Sequence, residues 1–467
     1  MTGTVSLEAS TARSWLAELA WSPALGLRSD VLIEASGDRF TRVTPDVSAP
    51  AASGATRLVG LTMPGFANAH SHAFHRALRG VTETVGGTFW TWRERMYEVA
   101  DRLDPDSYLE LASAVYAEMA LAGISCVGEF HYLHHGPGGV SYTDPNVMGR
   151  TLIEAARRAG IRITLLDCCY LSGGLSGDGR QQPLEGTQLR FGDSSGAGWA
   201  VRVDALRPDA VGRIGAHARL GAAIHSVRAV PPSEMPDVAI WSHRYGAPLH
   251  AHVSEQLAEN RACLAAHRAT PAEVLADAGA LGPRSTAVHA THVIASDIEL
   301  LGGSRCHVCM CPTTEADLAD GIGRARAVAD EGSPLTLGSD SHAVIDLLEE
   351  ARRVEHGERL TSGERGHFTA ADLAAAASTV GHASLGWPEA GELTAGGLAD
   401  FVTIALDSPR TAGAPRAAAL ESVIFGASAA DVRCLVVSGR DVVTDGHHML
   451  VPDVPLALST AIGTVLG

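Results

Sequence analysis

Histidine and acidic residues stand at the ends of several strand-like stretches of this 467-residue sequence, where they could hold a metal ion. His70 and His72 are separated by one residue, and side chains alternate along a strand, so both imidazoles project to the same face. Two imidazoles on one face can bind one metal ion. A single pair of this kind is weak evidence, because histidine is also common as a partly buried structural residue.

Three further strand-like stretches end in the same types of residue. Their endings are His250 and His252 with Glu255, His289 with His292, and Asp340 with His342. The carboxyl ends of parallel barrel strands meet at one face, so four such endings would converge on a single site. Three imidazoles and a carboxylate that leave one position open are typical of a catalytic metal ion, which needs room for water. The pattern therefore predicts a mononuclear metal hydrolase.

The sequence contains no lysine, so arginine supplies all 36 basic residues. Schiff-base and pyridoxal chemistry are excluded, because both require a lysine amine. A P-loop is excluded as well, since its phosphate-binding motif includes lysine. A metal centre bridged by a carbamylated lysine cannot form either.

Charge and hydropathy exclude other classes of protein. A formal net charge of -17 argues against nucleic acid as a partner, although a local arginine site could still hold a small anion. No apolar run approaches the roughly 20 residues that span a bilayer, so we expect no membrane partner. The first 16 residues lack a basic segment followed by an apolar core, which predicts a cytoplasmic protein with reduced cysteines. Cys306, Cys309 and Cys311 have no second pair nearby, and we interpret them as core residues.

Strand-like runs alternate with amphipathic helical stretches across the middle of the chain. The strand candidates are residues 65–72, 124–133, 161–171, 222–230, 248–255, 286–293, 305–312 and 334–342. The helical candidates between them include residues 106–122, 146–159, 255–266, 271–278 and 345–355. Such alternation implies a parallel sheet with right-handed crossovers, and eight units predict an α/β fold, the (β/α)8 TIM barrel.

Short strand-like runs occupy both ends of the chain, for example residues 31–35, 57–61, 401–406 and 432–438. We predict that residues 1–62 and 389–467 pack together as one small β domain. This domain would flank a metal-dependent barrel formed by residues 63–388.

The strand-end residues resemble those of the amidohydrolase superfamily. The shared pattern consists of the His70 and His72 pair, His252 followed three residues later by Glu255, then His289 and Asp340. The resemblance extends into the small β domain through residues 399–402. Many binuclear members use a bridging lysine, which this chain lacks. The resemblance therefore implies the mononuclear deaminase branch and its TIM barrel.

Longer stretches resemble the formimidoylglutamate deiminases of histidine degradation. These stretches are residues 64–74, 88–94, 129–135, 224–230 and 252–256. The resemblance implies hydrolysis of N-formimidoyl-L-glutamate, a linear amidine, to N-formyl-L-glutamate and ammonia. It also implies a homodimer with one Zn²⁺ per subunit, although Fe²⁺ or Mn²⁺ could occupy the same ligands.

The same resemblance implies a role for individual residues. The metal ligands would be His70, His72, His252 and Asp340. The catalytic groups would be Glu255, His289 and Asp340. The substrate contacts would be His75, Arg93, Tyr132, His225 and Arg228. His75 stands where we expect the family to have glutamine, so this contact departs from the family pattern.

Two other functions stay open from the sequence. A related mononuclear zinc deaminase could act on a nucleobase or another cyclic amidine, and its pocket would have an aromatic clamp in place of two arginines. A barrel kept as a non-catalytic binding protein would usually have lost metal ligands. Arg93 and Arg228 favour a dicarboxylate amidine as substrate, because guanidinium groups pair with carboxylates through two hydrogen bonds.

Overall fold

The computed structural model of the chain describes residues 12–48, 52–82, 87, 89–207 and 215–467. Residues 1–11 and Thr88, which belong to stretches discussed above, lie outside these ranges. In the described part of the chain, no helix is both long and apolar enough to cross a bilayer.

The strands fall into two large sheets and one short hairpin. In chain order they are β1 (Ala12–Ala20), β2 (Arg28–Ser36), β3 (Arg39–Thr44), β4 (Thr56–Pro64), β5 (Phe66–Ser71), β6 (Ile124–His131), β7 (Arg162–Cys169), β8 (Gly174–Leu175), β9 (Gln181–Gln182), β10 (Ala218–Ile224), β11 (Leu249–Val253), β12 (Ser285–His289), β13 (His307–Met310), β14 (Leu335–Leu337), β15 (Phe401–Ile404), β16 (Val432–Val437), β17 (Arg440–Thr444) and β18 (His447–His448).

The helices surround and connect these strands. Those of the described residues are α1 (Phe89–Arg102), α2 (Pro105–Leu121), α3 (Val147–Ala159), α4 (Gly196–Asp204), α5 (Met235–Tyr245), α6 (Leu257–His267), α7 (Pro271–Asp277), α8 (Ala295–Gly303), α9 (Pro312–Asp317), α10 (Ala325–Asp330), α11 (Leu347–Ser362), α12 (Ala370–Ala375), α13 (Gly381–Ser384), α14 (Ala419–Gly426) and α15 (Val454–Leu466).

The first sheet is the barrel wall. Its order is β14-β13-β12-β11-β10-β7-β6-β5, and each neighbouring pair is parallel. A parallel bridge between Ser71 and Asp340 joins the ends of the first and last strands. The predicted (β/α)8 TIM barrel is therefore confirmed.

The eight predicted strands are all present, and each ends before the residue predicted as its carboxyl end. The predicted strand that contains His289 extends to residue 293. The strand ends at His289 instead, because His289 and Ala290 have φ values of 69° and 50°, outside the extended region. The residues beyond each strand form the loops that carry polar side chains to the barrel mouth.

The second sheet combines both ends of the chain in the order β18-β17-β16-β15-β4-β1-β2-β3. Its first and last segments meet where β4 pairs with β15, from Leu61 with Ile404 to Pro64 with Phe401. A separate apolar core, which includes Trp15, Phe40 and Phe401, lies on this sheet. The predicted joint β domain is thus present, while the boundaries at 62/63 and 388/389 stay a prediction.

A buried ion pair connects the two sheets. Arg162, the first residue of β7, donates from Nε to Asp400 Oδ2 at 2.6 Å and from Nη2 to Oδ1 at 3.1 Å. Asp400 also accepts from the backbone N–H of Ser438 at 2.7 Å. Its side chain is fully buried and that of Arg162 is 2% exposed. This pair fixes the small sheet against the bottom of the barrel.

Candidate active site

Four side chains converge at the barrel mouth with their nitrogen and oxygen atoms facing one another. His70 Nε2 lies 3.1 Å from His252 Nε2 and 3.2 Å from Asp340 Oδ1. His72 Nε2 lies 3.4 Å from the same carboxylate oxygen. Each comes from the end of a barrel strand: His70 lies in β5 and His72 directly follows it, β11 supplies His252, and Asp340 follows β14.

These separations fit a divalent metal ion. Ligands about 2.0–2.1 Å from a tetrahedral Zn²⁺ lie about 3.4 Å from one another, close to the observed distances. Two of the imidazoles are oriented by carbonyl groups, since His72 Nδ1 pairs with Phe130 O and His252 Nδ1 with His225 O, both at 2.9 Å. Such contacts leave Nε2 free to ligate a metal.

Burial keeps the imidazoles neutral, which is the form that binds metals. Removal from water and the neighbouring His70 together lower the pKa of His72 to about 3. The pKa values of His70 and His252 are lowered well below the usual range, chiefly by burial. With its Nε2 atoms and one carboxylate, the cluster has the donor set of a catalytic metal site.

His289 lies between carboxylates on the other side of Asp340. Its Nε2 is 3.8 Å from Asp340 Oδ2 and 3.9 Å from Glu255 Oε1, and its Nδ1 is 3.5 Å from Glu315 Oε1. Burial opposes protonation, but Glu315, Glu255 and Asp340 together raise the pKa of His289 to about 10. The group can therefore donate a proton or a hydrogen bond at neutral pH.

A guanidinium group adjoins this polar cluster. Arg228 Nη2 donates to Glu255 Oε2 at 3.1 Å, and its Nε lies 3.8 Å from Glu259 Oε2. Glu259 is fully buried, and burial raises its pKa to about 7. One cation thus faces two carboxylates at the pocket wall.

Arg228, Glu255 and His289 line a cavity of about 250 Å³ that ends at the histidine cluster. Arg93 stands on α1 with its guanidinium 5.1 Å from the Trp90 ring and 5.2 Å from the Tyr97 ring. Tyr132 and Tyr170 also line the cavity. Aromatic walls with two arginines can bind a small anion while excluding water from its apolar part.

Tyr132, which lines the pocket, contacts His75, the residue that departs from the family pattern. Its hydroxyl is 2.9 Å from His75 Nε2, and the His75 ring lies 4.6 Å from the ring of His72. His225 faces the same space, with its ring 5.6 Å from that of Tyr132. Histidine at position 75 therefore orients a tyrosine hydroxyl within the cavity.

The structure brings the sequence-predicted site residues together. Ten of them line the cavity: His72, His75, Arg93, Tyr132, His225, Arg228, His252, Glu255, His289 and Asp340. His70, which is fully buried, lies directly behind them. Their individual roles stay predictions.

The neighbouring histidines differ in position. His342 pairs through Nδ1 with Ser339 Oγ and through Nε2 with Ser71 Oγ, beside the ligand loops. His250 pairs through Nε2 with Ser384 O at 3.1 Å. The backbone of His292 pairs with Ser254.

Sequence reasoning missed three carboxylates around the site: Glu259, Glu315 and Asp320. Glu315 accepts a hydrogen bond from Cys311 N at 3.0 Å, and Asp320 pairs with the side-chain amide of Gln256. Burial raises the pKa of Asp320 to about 8, with the charge of Glu255 adding to the effect. The only available signal was their position, in the first turn of α6 and in the α9 region that follows β13.

His131, His134 and Asp167 form a second group of possible metal ligands. The negative charge of this group is already neutralised by an arginine. Arg202 donates to Asp167 Oδ1 at 2.8 Å and to Oδ2 at 3.0 Å, and it approaches His134 Nε2 at 3.2 Å. Its positive charge occupies the place that a metal ion would take, so we assign no metal to this group.

Comparisons with known proteins agree with this geometry. The family model described as the amidohydrolase family matches residues 61–442. The chain is 37% identical over 436 residues to the formimidoylglutamate deiminase of Pseudomonas aeruginosa, covering 91% of this chain and 93% of that protein. This chain belongs to the amidohydrolase family. The family is metal-dependent, and the His and Asp groups of the site meet that requirement.

Other members of the amidohydrolase family are also similar. The 8-oxoguanine deaminase of Pseudomonas aeruginosa is 30% identical over 361 residues, covering 76% of each chain. The crystal structure of an amidohydrolase from Brucella melitensis superposes with a TM-score of 0.88 at 32% identity, covering 97% of this chain and all of that one. An adenosine deaminase from Xanthomonas campestris, solved with bound zinc, shares the fold with a TM-score of 0.80 at 19% identity, covering 97% of each chain.

Proposed function

We propose that this amidohydrolase is a formimidoylglutamate deiminase, which hydrolyses N-formimidoyl-L-glutamate to N-formyl-L-glutamate and ammonia. Water adds to the formimidoyl carbon, the C=N bond is replaced by C=O, and the nitrogen departs as ammonia. The reaction consumes one water and needs no oxidant. Such a step belongs to histidine degradation.

The observation that carries the proposal is the placement of Arg93 and Arg228 on the wall of a cavity that ends at the histidine cluster. The proposed substrate has a carboxylate at each end of a short chain and an amidine close to one of them. Two guanidinium groups can bind both carboxylates and so direct the amidine carbon toward the cluster. The relative at 37% identity supports the same substrate.

The residues of the site would divide the chemistry as follows. His70, His72, His252 and Asp340 would hold a divalent ion, which supplies Lewis acidity and makes water acidic enough to attack at neutral pH. Asp340 Oδ2, which lies 3.8 Å from His289 Nε2, would accept the proton of the attacking water. Glu255 would carry a proton to the departing nitrogen, as a carboxylate does in zinc deaminases of nucleobases. His289, which lies 3.5–3.9 Å from three carboxylates, would donate a hydrogen bond to the developing negative oxygen.

A second candidate is deamination of a nucleobase. The aromatic rings of the cavity and the 30% identity to an 8-oxoguanine deaminase favour it. The two arginines oppose it, because a neutral base offers no carboxylate for either of them.

The deciding experiment is product identification by proton NMR after incubation of zinc-loaded protein with N-formimidoyl-L-glutamate, with 8-oxoguanine in a parallel reaction. We expect an N-formyl signal and one equivalent of ammonia. Formamide with glutamate would place the cleavage at the other C–N bond, and turnover of 8-oxoguanine alone would replace the proposal with the second candidate. The matched control is Asp340→Asn, which keeps the side-chain shape and should abolish turnover.

We further propose the finer properties that the family resemblance implies: Zn²⁺ as the ion, one per subunit, and a homodimer that acts in the cytoplasm. Metal analysis of gently purified protein tests the first, with one equivalent expected. Light scattering after size exclusion tests the second, with twice the chain mass of 48.6 kDa expected.

A further inference from the structure

Arg228 and Glu255 have separate roles in the proposed reaction, yet they are bonded to each other. The first would bind a carboxylate of the substrate, and the second would carry the proton. Their contact is 3.1 Å long, with side chains that are 14% and 9% exposed. An oxygen that already accepts from a guanidinium group does not offer the same lone pair to a reacting proton. In this arrangement one of the two oxygens of the proton carrier, Oε2, is occupied.

The surroundings of Arg228 allow it to leave that contact. Glu259 lies 3.8 Å from its Nε and is fully buried, and neither Glu259 oxygen forms a hydrogen bond among the described residues. When the guanidinium turns away from Glu255, the carboxyl group of Glu259 therefore remains beside it. Burying an unpaired cation would be costly, so this second carboxylate makes an exchange of partners feasible.

The position of Arg228 also determines which carboxylate reaches it. Glu255 lies 3.9 Å from His289 Nε2, so Arg228 is one side chain removed from the reacting groups. In formimidoylglutamate the α-carboxylate is two bonds from the amidine nitrogen, whereas the side-chain carboxylate is four bonds away. The α-carboxylate is the one that can meet Arg228 while the amidine carbon stands at the cluster.

We propose that Arg228 exchanges Glu255 for the α-carboxylate of the substrate, so that recognition of this charge releases the carboxylate that transfers the proton. The inference rests on the proposed function. Substrate charge then controls the chemical step as well as binding. An amidine without the α-carboxylate would bind with Glu255 still paired, and would react slowly even at saturation.

The kinetic test compares three substrates: N-formimidoyl-L-glutamate, N-formimidoyl-4-aminobutyrate, which lacks the α-carboxylate, and N-formimidoyl-L-2-aminobutyrate, which lacks the other. In the wild type we expect loss of the α-carboxylate to lower kcat by at least about tenfold, which is less than the full contribution of about 10²–10⁴ from proton transfer. Loss of the other carboxylate should raise KM with kcat nearly unchanged. An equal kcat for all three substrates would overturn the exchange.

Two variants test whether the dependence of kcat on the α-carboxylate requires Arg228. In Arg228→Met, Glu255 has no guanidinium partner, so the kcat ratio between the full substrate and the 4-aminobutyrate analogue should shrink to about one. Arg93→Met is the matched control, an arginine-to-methionine change in the same cavity, and it should keep the wild-type ratio. A ratio that persists in Arg228→Met contradicts the proposal, because a binding role alone would not link this residue to kcat.

A crystal structure of the wild type with N-formyl-L-glutamate tests the exchange without turnover or substitution. We expect the distance from Arg228 Nη2 to Glu255 Oε2 to grow from 3.1 Å to beyond 4.0 Å, with the α-carboxylate on Arg228. A bound ligand with this pair intact, or no carboxylate at Arg228 at saturating ligand, would refute it. Failure of the proposed function would be seen separately, as absence of ammonia release from N-formimidoyl-L-glutamate.

Discussion

Replacement of Asp400 by asparagine tests how strongly the small β domain depends on the barrel. The substitution keeps the side-chain size and removes the charge that neutralises Arg162. Arg162 would then be left as a buried cation, 2% exposed, with Ser438 Oγ at 2.9 Å as a neutral partner. Removing one partner of a buried pair typically costs about 3–5 kcal/mol.

The corresponding change in melting temperature is small because the chain is long. At about 2.1 cal/mol/K per residue, the unfolding entropy of 467 residues is about 1 kcal/mol/K. If the chain unfolds as one unit, Asp400→Asn should therefore lower Tm by about 3–5 °C. Differential scanning calorimetry of both proteins at the same metal content measures this shift.

The matched control removes a carboxylate from an exposed pair. Glu154 and Arg157 lie 2.6 Å apart with side chains 38% and 61% exposed. Glu154→Gln should cost less than about 1 kcal/mol, or about 1 °C. If Asp400→Asn shifts Tm no more than this control does, the pair does not contribute what its burial and geometry indicate.

Three other outcomes are expected. Glu255→Gln should lower kcat by about 10²–10⁴-fold with little change in KM, because the amide can still accept from Arg228 but cannot carry a proton. Steady-state ammonia release measures kcat. A loss of kcat below about fivefold would contradict the proton-transfer role of Glu255. Dialysis against a chelator should abolish activity and Zn²⁺ should restore it, whereas activity in protein shown to be metal-free would exclude a metal-dependent reaction. Although burial opposes ionisation of Asp167, the charge of Arg202 holds its pKa at about 2. Since this is below the value of about 3.9 in the unfolded chain, the pair stabilises the fold above pH 4 and loses that contribution as the pH falls toward 2. The difference in urea midpoint between wild type and Asp167→Asn should narrow over that interval, and a constant difference would contradict the assignment.

The barrel and the convergence of the site residues were predictable from the sequence because both follow from short-range patterns. Alternation of strands and helices determines the barrel, and the carboxyl ends of parallel strands meet at one face. His72, His252 and Asp340 could therefore be placed together without knowledge of any distance. The strands themselves end earlier than predicted, because residues such as His289 adopt positive φ. No pattern of side chains in the sequence predicts that conformation.

The ionic contacts of the site were not predictable. Arg228 and Glu255 each matched an expected role, but nothing in their spacing indicates that they touch. Glu315 belongs to a short helix after β13, and its approach to His289 depends on how that helix packs against the end of β12. Glu259 looks in the sequence like an ordinary acidic residue in the first turn of a helix, where such residues are common and usually exposed. Only the tertiary structure reveals that it is buried against a guanidinium group.

The bridge between the first and last barrel strands has a consequence for the order of synthesis. Asp340 N donates to His70 O at 3.0 Å and His72 N donates to Asp340 O at 3.3 Å, so the seam of the barrel and the proposed ligand set share the same residues. A ribosome releases the first two histidines long before Asp340. The nascent chain therefore carries the first two ligands until His252 is made, and the fourth is missing until Asp340. The metal site can be completed only when the last strand closes the barrel. The bound ion would then link the first and last strands of the barrel.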